Sequence, residues 1–197
     1  MFSARQNKGF SLIELLLVLG VLAVLLVAAF VVYPQVRDRN QANAEASNIR
    51  AIQGNVRNLF ASRGGIYTGL GTGPGNNNDY GIGNQARIFP STMNGGDYSA
   101  GAPITSTWGA PVFVWQRPAV STPLGPIGMN RSFGIAYFNV PTGVCVPLVS
   151  AVYAGFESVA VGENGKQTEV VTASGLDIAR LTTACASPDP LITFTSK

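Results

Sequence analysis

The chain has no histidine and only two cysteines, Cys145 and Cys185. Without histidine, Ser-His-Asp and Cys-His catalytic arrangements are impossible, and so are His-ligated metals. Two thiols with no C-x-x-C spacing make a poor thiolate metal set. Charge is scarce as well: Lys, Arg, Asp and Glu make up 12% of 197 residues. The net charge of +3 shrinks further once Arg5 and Lys8 are set aside, leaving 11 basic against 10 acidic residues. A nearly neutral body gives no support to general electrostatic binding of nucleic acid. The glycines around Gly69–Gly75 are followed by no Gly-Lys-Ser or Gly-Lys-Thr, so they do not make a phosphate loop. No catalytic residue, cofactor set or metal set is therefore expected. Glu157, Glu163, Glu169 and Asp177 cluster in sequence. Solvated surface charge and a helix cap explain them better than a carboxylate pair or a calcium site.

Long hydrophobic runs are not lacking. Residues 15–32 are 18 consecutive apolar or glycine positions, and the segment from Phe10, with Ser11 and Glu14 in it, is 23 residues long, enough to span a bilayer. The only ionisable residue from Phe10 to Val32 is Glu14. A carboxylate at the bilayer centre costs roughly 2.5–3.5 kcal/mol and marks a functional position by default. The segment is not a secretory signal peptide, which carries its small-residue cleavage site after the apolar region. Arg5 and Lys8 precede the segment and favour a cytoplasmic N-terminus; Arg37 and Arg39 follow it and weaken that bias.

The residues Lys8-Gly9-Phe10-Ser11-Leu12-Ile13-Glu14-Leu15 resemble the type III signal of type IV prepilins and pseudopilins. A basic residue, a Gly before the cut, a Phe after it and a Glu four residues on all fall where that signal has them. The resemblance implies cleavage after Gly9, N-methylation of Phe10 by the same peptidase, and a role for Glu14 in assembly. It also implies a precursor in the bacterial inner membrane, N-terminus in and C-terminus out. The implied partners are the prepilin peptidase/methylase, an assembly ATPase, an inner-membrane platform and further copies of the chain. Glu14 paired with the Phe10 amine of an adjacent subunit would set axial register, a use known for buried polar groups.

Export places Cys145 and Cys185 in an oxidising compartment, where an even pair reads as a disulfide. Closing a loop of about 40 residues is worth roughly 4 kcal/mol in the chain-entropy picture.

Five segments are expected: a leader over 1–9, a membrane or filament-core helix over 10–33, an amphipathic helix over 34–63, a Gly-rich connection over 64–107, and a sheet-bearing head over 108–197. Pro34 is expected to kink or locally break the helix. Ile49, Ile52, Val56, Leu59 and Phe60 form a helical stripe for core packing, with Asn48, Arg50 and Arg57 off it. Gly64 and Gly65 stop the helix. A short helix is expected near 80–90. Strands are expected over 112–115, 133–138, 156–161, 168–172 and 191–195, with an Asn164-Gly165 hairpin turn. Thr142 should cap a helix bearing Cys145. Ser174 and Asp177 should form a capping box for a helix ending at Cys185.

The fold class is thus α+β: a long N-terminal helix on an antiparallel sheet with short helices and a C-terminal disulfide. The order of C-terminal elements resembles type IVb and conjugative-pilus pilins. The short leader and Phe10 are closer to type IVa pilins or pseudopilins. The function expected is a structural pilus subunit. A pseudopilin or minor pilin is the nearer alternative, and a membrane-anchored periplasmic binding protein or enzyme the more distant one.

Overall fold

A computed structural model describes residues 11–71, 73, 83–99 and 101–197. The chain divides into two compact units, Met1–Arg37 and Asp38–Lys197.

In the first unit the described residues from Leu12 on belong to the start of helix α1 (Leu12–Phe60). It runs through Gly20 and Pro34 without interruption, so the expected local break is absent. Proline removes one donor, but the turns on either side keep theirs. A 3-10 turn, Ala61–Arg63, follows α1, and Gly64 closes it at φ 62°. This left-handed stop is the one expected from the paired glycines.

The second unit is built on a five-stranded antiparallel sheet in the order β1-β4-β9-β5-β6. Its strands are β1 (Val112–Gln116), β4 (Phe133–Tyr137), β9 (Leu191–Ser196), β5 (Ser158–Gly162) and β6 (Thr168–Glu169). Two hairpins were not foreseen: β2–β3 (Val120–Thr122, Gly125–Ile127) and β7–β8 (Val171–Thr172, Gly175–Leu176). The second splits the continuous 168–172 strand of the sequence reading in two. Strands of two or three residues carry too little alternation to be read from sequence.

One sheet face makes the main core. Val114, Ile135, Phe194 and Val159 face the α1 stripe of Ile49, Ile52, Val56 and Phe60 in one buried cluster. The stripe extends upstream to Ala42 and Ala46. Leu59 does not share it and stays 45% exposed, because at about 100° per residue it falls at the edge of the stripe, on the side away from Ala42 and Phe60. On the opposite face Trp115, Ala136 and Leu191 form a smaller cluster. Gly134 is obligatory beneath it: a Cβ there would sit 2.6 Å from the Trp115 ring.

Of the connection 64–107, the described part has a helical turn at 83–85 and helix α2 (Ser91–Asn94). Helix α3 (Thr142–Val152) carries Cys145, and α4 (Ile178–Cys185) ends on Cys185. Both expected caps are corrected. Pro141 occupies the cap position of α3, with no side-chain hydrogen bond, and Thr142 is already helical. Asp177 itself caps α4, its Oδ1 accepting from the Arg180 N–H at 3.0 Å. Ser174 instead lies in the β7–β8 turn beside Thr172 Oγ1. The turn Glu163–Lys166 forms as expected, with Gly165 at φ 84° and the Lys166 N–H donating to Glu163 O.

Candidate functional site

The functional residues expected near the N-terminus fall on two sides of what is described. Gly9 and Phe10 lie outside the described residues. Glu14 sits in the first turn of α1, where its charge favours the helix dipole. It is exposed, as are Leu12, Leu16, Leu19 and Phe30 along the same segment. Among the described residues one helix is long and apolar enough to cross a membrane. What the arrangement offers is a self-satisfied backbone, an uncovered apolar surface, and a single carboxylate near one end.

In the second unit the polar residues of α1 are tethers. Arg50 Nη2 donates to Ala151 O at 2.7 Å. Gln53 Nε2 reaches Gly155 O at 2.6 Å and Ser196 Oγ at 2.9 Å. Arg57 donates to Lys197 O at 2.7 Å and Ser196 Oγ at 3.0 Å. Arg50 and Arg57 were read as merely off the apolar stripe, and Gln53 was not singled out. Together they hold the helix to the end of the last strand, to the last turn of α3 and to the segment just after it.

Glu45 was missed. It is fully buried. Its Oε1 accepts from the Thr107 N–H at 2.6 Å and its Oε2 from Asn48 Nδ2 at 3.1 Å. Asn48 Oδ1 in turn accepts from Thr92 Oγ1. Together with Asn55, whose Nδ2 donates to Ile88 O, these side chains hold the connection 64–107 against α1. The Tyr137 hydroxyl faces the same carboxylate. Burial first, and the Glu45 charge second, push it well above its usual value. The signal for Glu45 was its place at i−4 from Ile49, on the buried stripe.

A polar ridge crosses the outer face of the sheet. Arg117 Nη1 donates to Thr195 Oγ1 at 2.8 Å, and its guanidinium lies 6.0 Å from the Trp115 ring. Glu169 accepts from Ser158 Oγ and from the Val159 N–H at 2.7 Å. Burial lowers the Arg117 pKa and raises that of Glu169; each group's charge partly offsets the shift in the other. Glu169 is therefore half-buried and bonded, not the solvated charge expected. Its sequence neighbours do fit that expectation: Glu157 pairs with Lys197, Glu163 with Lys166, and Asp177 with Arg180. Among the described residues no three such groups gather to hold a metal.

Cys145 and Cys185 form a disulfide, with Cα atoms 5.8 Å apart across a separation of 40 residues. It fastens α3 to the end of α4.

Comparison with known proteins agrees with this arrangement. The family model described as prokaryotic N-terminal methylation motif matches residues 4–30. The one described as PilS N terminal matches residues 39–197. Among curated proteins nothing matches. Among solved structures, a type IV b pilin from Salmonella typhi aligns with TM-score 0.52 and 20% identity, over 77% of this chain and 97% of that one. TcpA, a type IV pilin from Vibrio cholerae El Tor biotype, aligns with TM-score 0.51 and 16% identity, over 82% of this chain and 99% of that one. The spine helix, the antiparallel sheet and the methylation motif thus occur in one chain, and that chain belongs to the PilS N-terminal family and is built as a type IV pilin.

Proposed function

We propose that the chain is the structural subunit of a type IV pilus, made as an inner-membrane precursor with its head on the exported side. The peptidase cleaves after Gly9 and methylates the new amine of Phe10. The helix that anchored the precursor in lipid then packs among copies of itself. The observation that carries this is an apolar helix face left wholly uncovered, bearing one carboxylate, Glu14, four residues from the cleavage junction of a methylation motif. Its role is mechanical rather than catalytic.

Leucine and lipid tails are similarly apolar, so transfer from bilayer to filament gains little hydrophobic energy. An external source must drive extraction, which the assembly ATPase and membrane platform supply in this reading. Glu14 acts as a register pin: unpaired in an apolar core it is severely penalised, and paired with the Phe10 amine of a neighbour it is tolerable. Disulfide formation in the head agrees with export.

Intact mass and N-terminal sequencing of protein sheared from cells test the proposal. A chain starting at Phe10, one methyl group heavier, and abundant in surface fibres is the expected result. A processed chain retained in the membrane would indicate a pseudopilin or minor pilin instead. A chain still starting at Met1 would overturn the reading. Glu14→Ala is expected to leave cleavage and membrane insertion intact while fibre yield collapses. Wild-type yields from that variant would remove the register role.

A further inference from the structure

The five-stranded sheet has two ends, and they are unlike. At one end lie Gln116, Phe133, Ser158 and Ser196, aligned by strand register. From this end the chain between β1 and β4 runs out as the β2–β3 hairpin. Residues 118–129 contain no charged side chain. Leu124 at the turn is 54% exposed, and Met129 beyond β3 is 70% exposed. The result is an uncharged, proline-braced knob with a bare leucine at its tip.

At the other end lie Val112, Tyr137, Val161 and Leu191. There the β5–β6 turn and helix α4 enclose a groove of about 550 Å³, within the size range of ligand sites. Its floor is small and apolar: Val161, Gly162, Ala179 and Ala184. Its charged lining residues each have a counter-charge nearby: Lys166 lies 3.9 Å from Glu163, and Arg180 pairs with Asp177 just beside the groove. With neither sign left dominant, the groove suits an uncharged occupant better than an ionic one.

We infer that the β2–β3 hairpin of one subunit seats in the groove between the β5–β6 turn and α4 of another copy of this chain. The hairpin cannot serve its own groove, because the length of the strands, roughly 17 Å for five residues, separates them. A knob and a hole at opposite ends of one sheet make a heterologous, head-to-tail contact, which builds an open helical polymer rather than a closed pair. This inference rests on the pilus-subunit proposal. It adds a contact between the sheet-bearing domains of neighbouring copies that is independent of the Glu14 register pin.

The test uses the full-length chain in cells that assemble it. A photoreactive residue replacing Leu124 should cross-link in fibres to a peptide within 161–187 of a second copy. Leu124→Asp should lower fibre yield at least about tenfold, because a carboxylate would be buried without a partner. Leu124→Met should restore it. Thr183→Arg, which fills the groove from its exposed wall, should act like Leu124→Asp. In every variant precursor level, cleavage and the Cys145–Cys185 bridge should be unchanged. Cross-links to another region or another protein, or normal yields from both charged variants, would overturn the contact and leave the subunit reading standing. Absence of the wild-type chain from fibres would overturn both.

Discussion

The two parts of helix α1 obey opposite rules within one continuous element. From Leu15 to Phe30 the helix is apolar all round and uncovered, with Leu17 67% exposed. From Asp38 to Phe60 the large apolar residues other than Leu59 lie on one buried stripe, and polar ones such as Arg50, Gln53 and Arg57 reach out as tethers. The first pattern requires a solvent other than water, either lipid or other copies of the helix. The second requires a partner within the same fold. The difference teaches where each half gets its stability: the first from its surroundings, the second from the head.

The largest test of this division is the disulfide, which belongs wholly to the second part. Cys145→Ser with Cys185→Ser should cost the head roughly 4 kcal/mol, from the unfolded-state freedom that a closed loop of this size removes. Chemical unfolding with the head's aromatic fluorescence as readout would show it. Membrane insertion of the precursor should not change. Equal loss of insertion and of head stability would mean that the two parts are not energetically separate.

A sharper test places the same kind of change on each side. Ile52→Ala deletes a fully buried side chain between α1 and the sheet and should cost about 3 kcal/mol. Leu19→Ala removes an exposed one and should leave the unfolding midpoint of the head where it was. If Leu19→Ala also lowers that midpoint, the first half is supported by the head after all.

This asymmetry also explains what could be read from the sequence. Residues 10–32 announced themselves because one long apolar run with a single Glu has few physical explanations. The stripe Ile49, Ile52, Val56 and Phe60 was legible from its period, which wrongly included Leu59, and the strands around Phe133 and Ile192 from short β-branched and aromatic runs and their boundaries. Glu45 was not, because a carboxylate on a core stripe is recognisable only once the Thr107 N–H that it satisfies has been brought to it across 62 residues of chain. The β2–β3 hairpin was hidden by its own composition: no element was expected between residues 115 and 133, where prolines and glycines interrupt any period, although two three-residue strands pair there. The misplaced caps have a local cause. Thr142 and Ser174 are good capping residues by type, yet Pro141 and Asp177 occupy the extended positions that begin the two helices.

The finest contrast is between two carboxylates of the head. Glu157 is surface-paired with Lys197, whereas Glu169 is half-buried and its pKa is raised, chiefly by burial. Between the ordinary carboxylate value and that raised value, the folded chain holds a proton at Glu169 that the unfolded chain has released. The stabilising contribution is therefore full at low pH and is lost as pH rises through the raised value. Glu169→Gln keeps an acceptor for the Val159 N–H but cannot ionise, so it should flatten this decline. Urea midpoints of the head, followed upward from about pH 4, should fall less for Glu169→Gln than for the wild type. Glu157→Gln should leave the decline in place, because its neighbour is a solvent-screened lysine. Identical pH profiles for wild type and Glu169→Gln would mean that the ridge formed by Arg117, Ser158 and Glu169 stays hydrated, and that the outer sheet face is as open to water as the surface around Glu157.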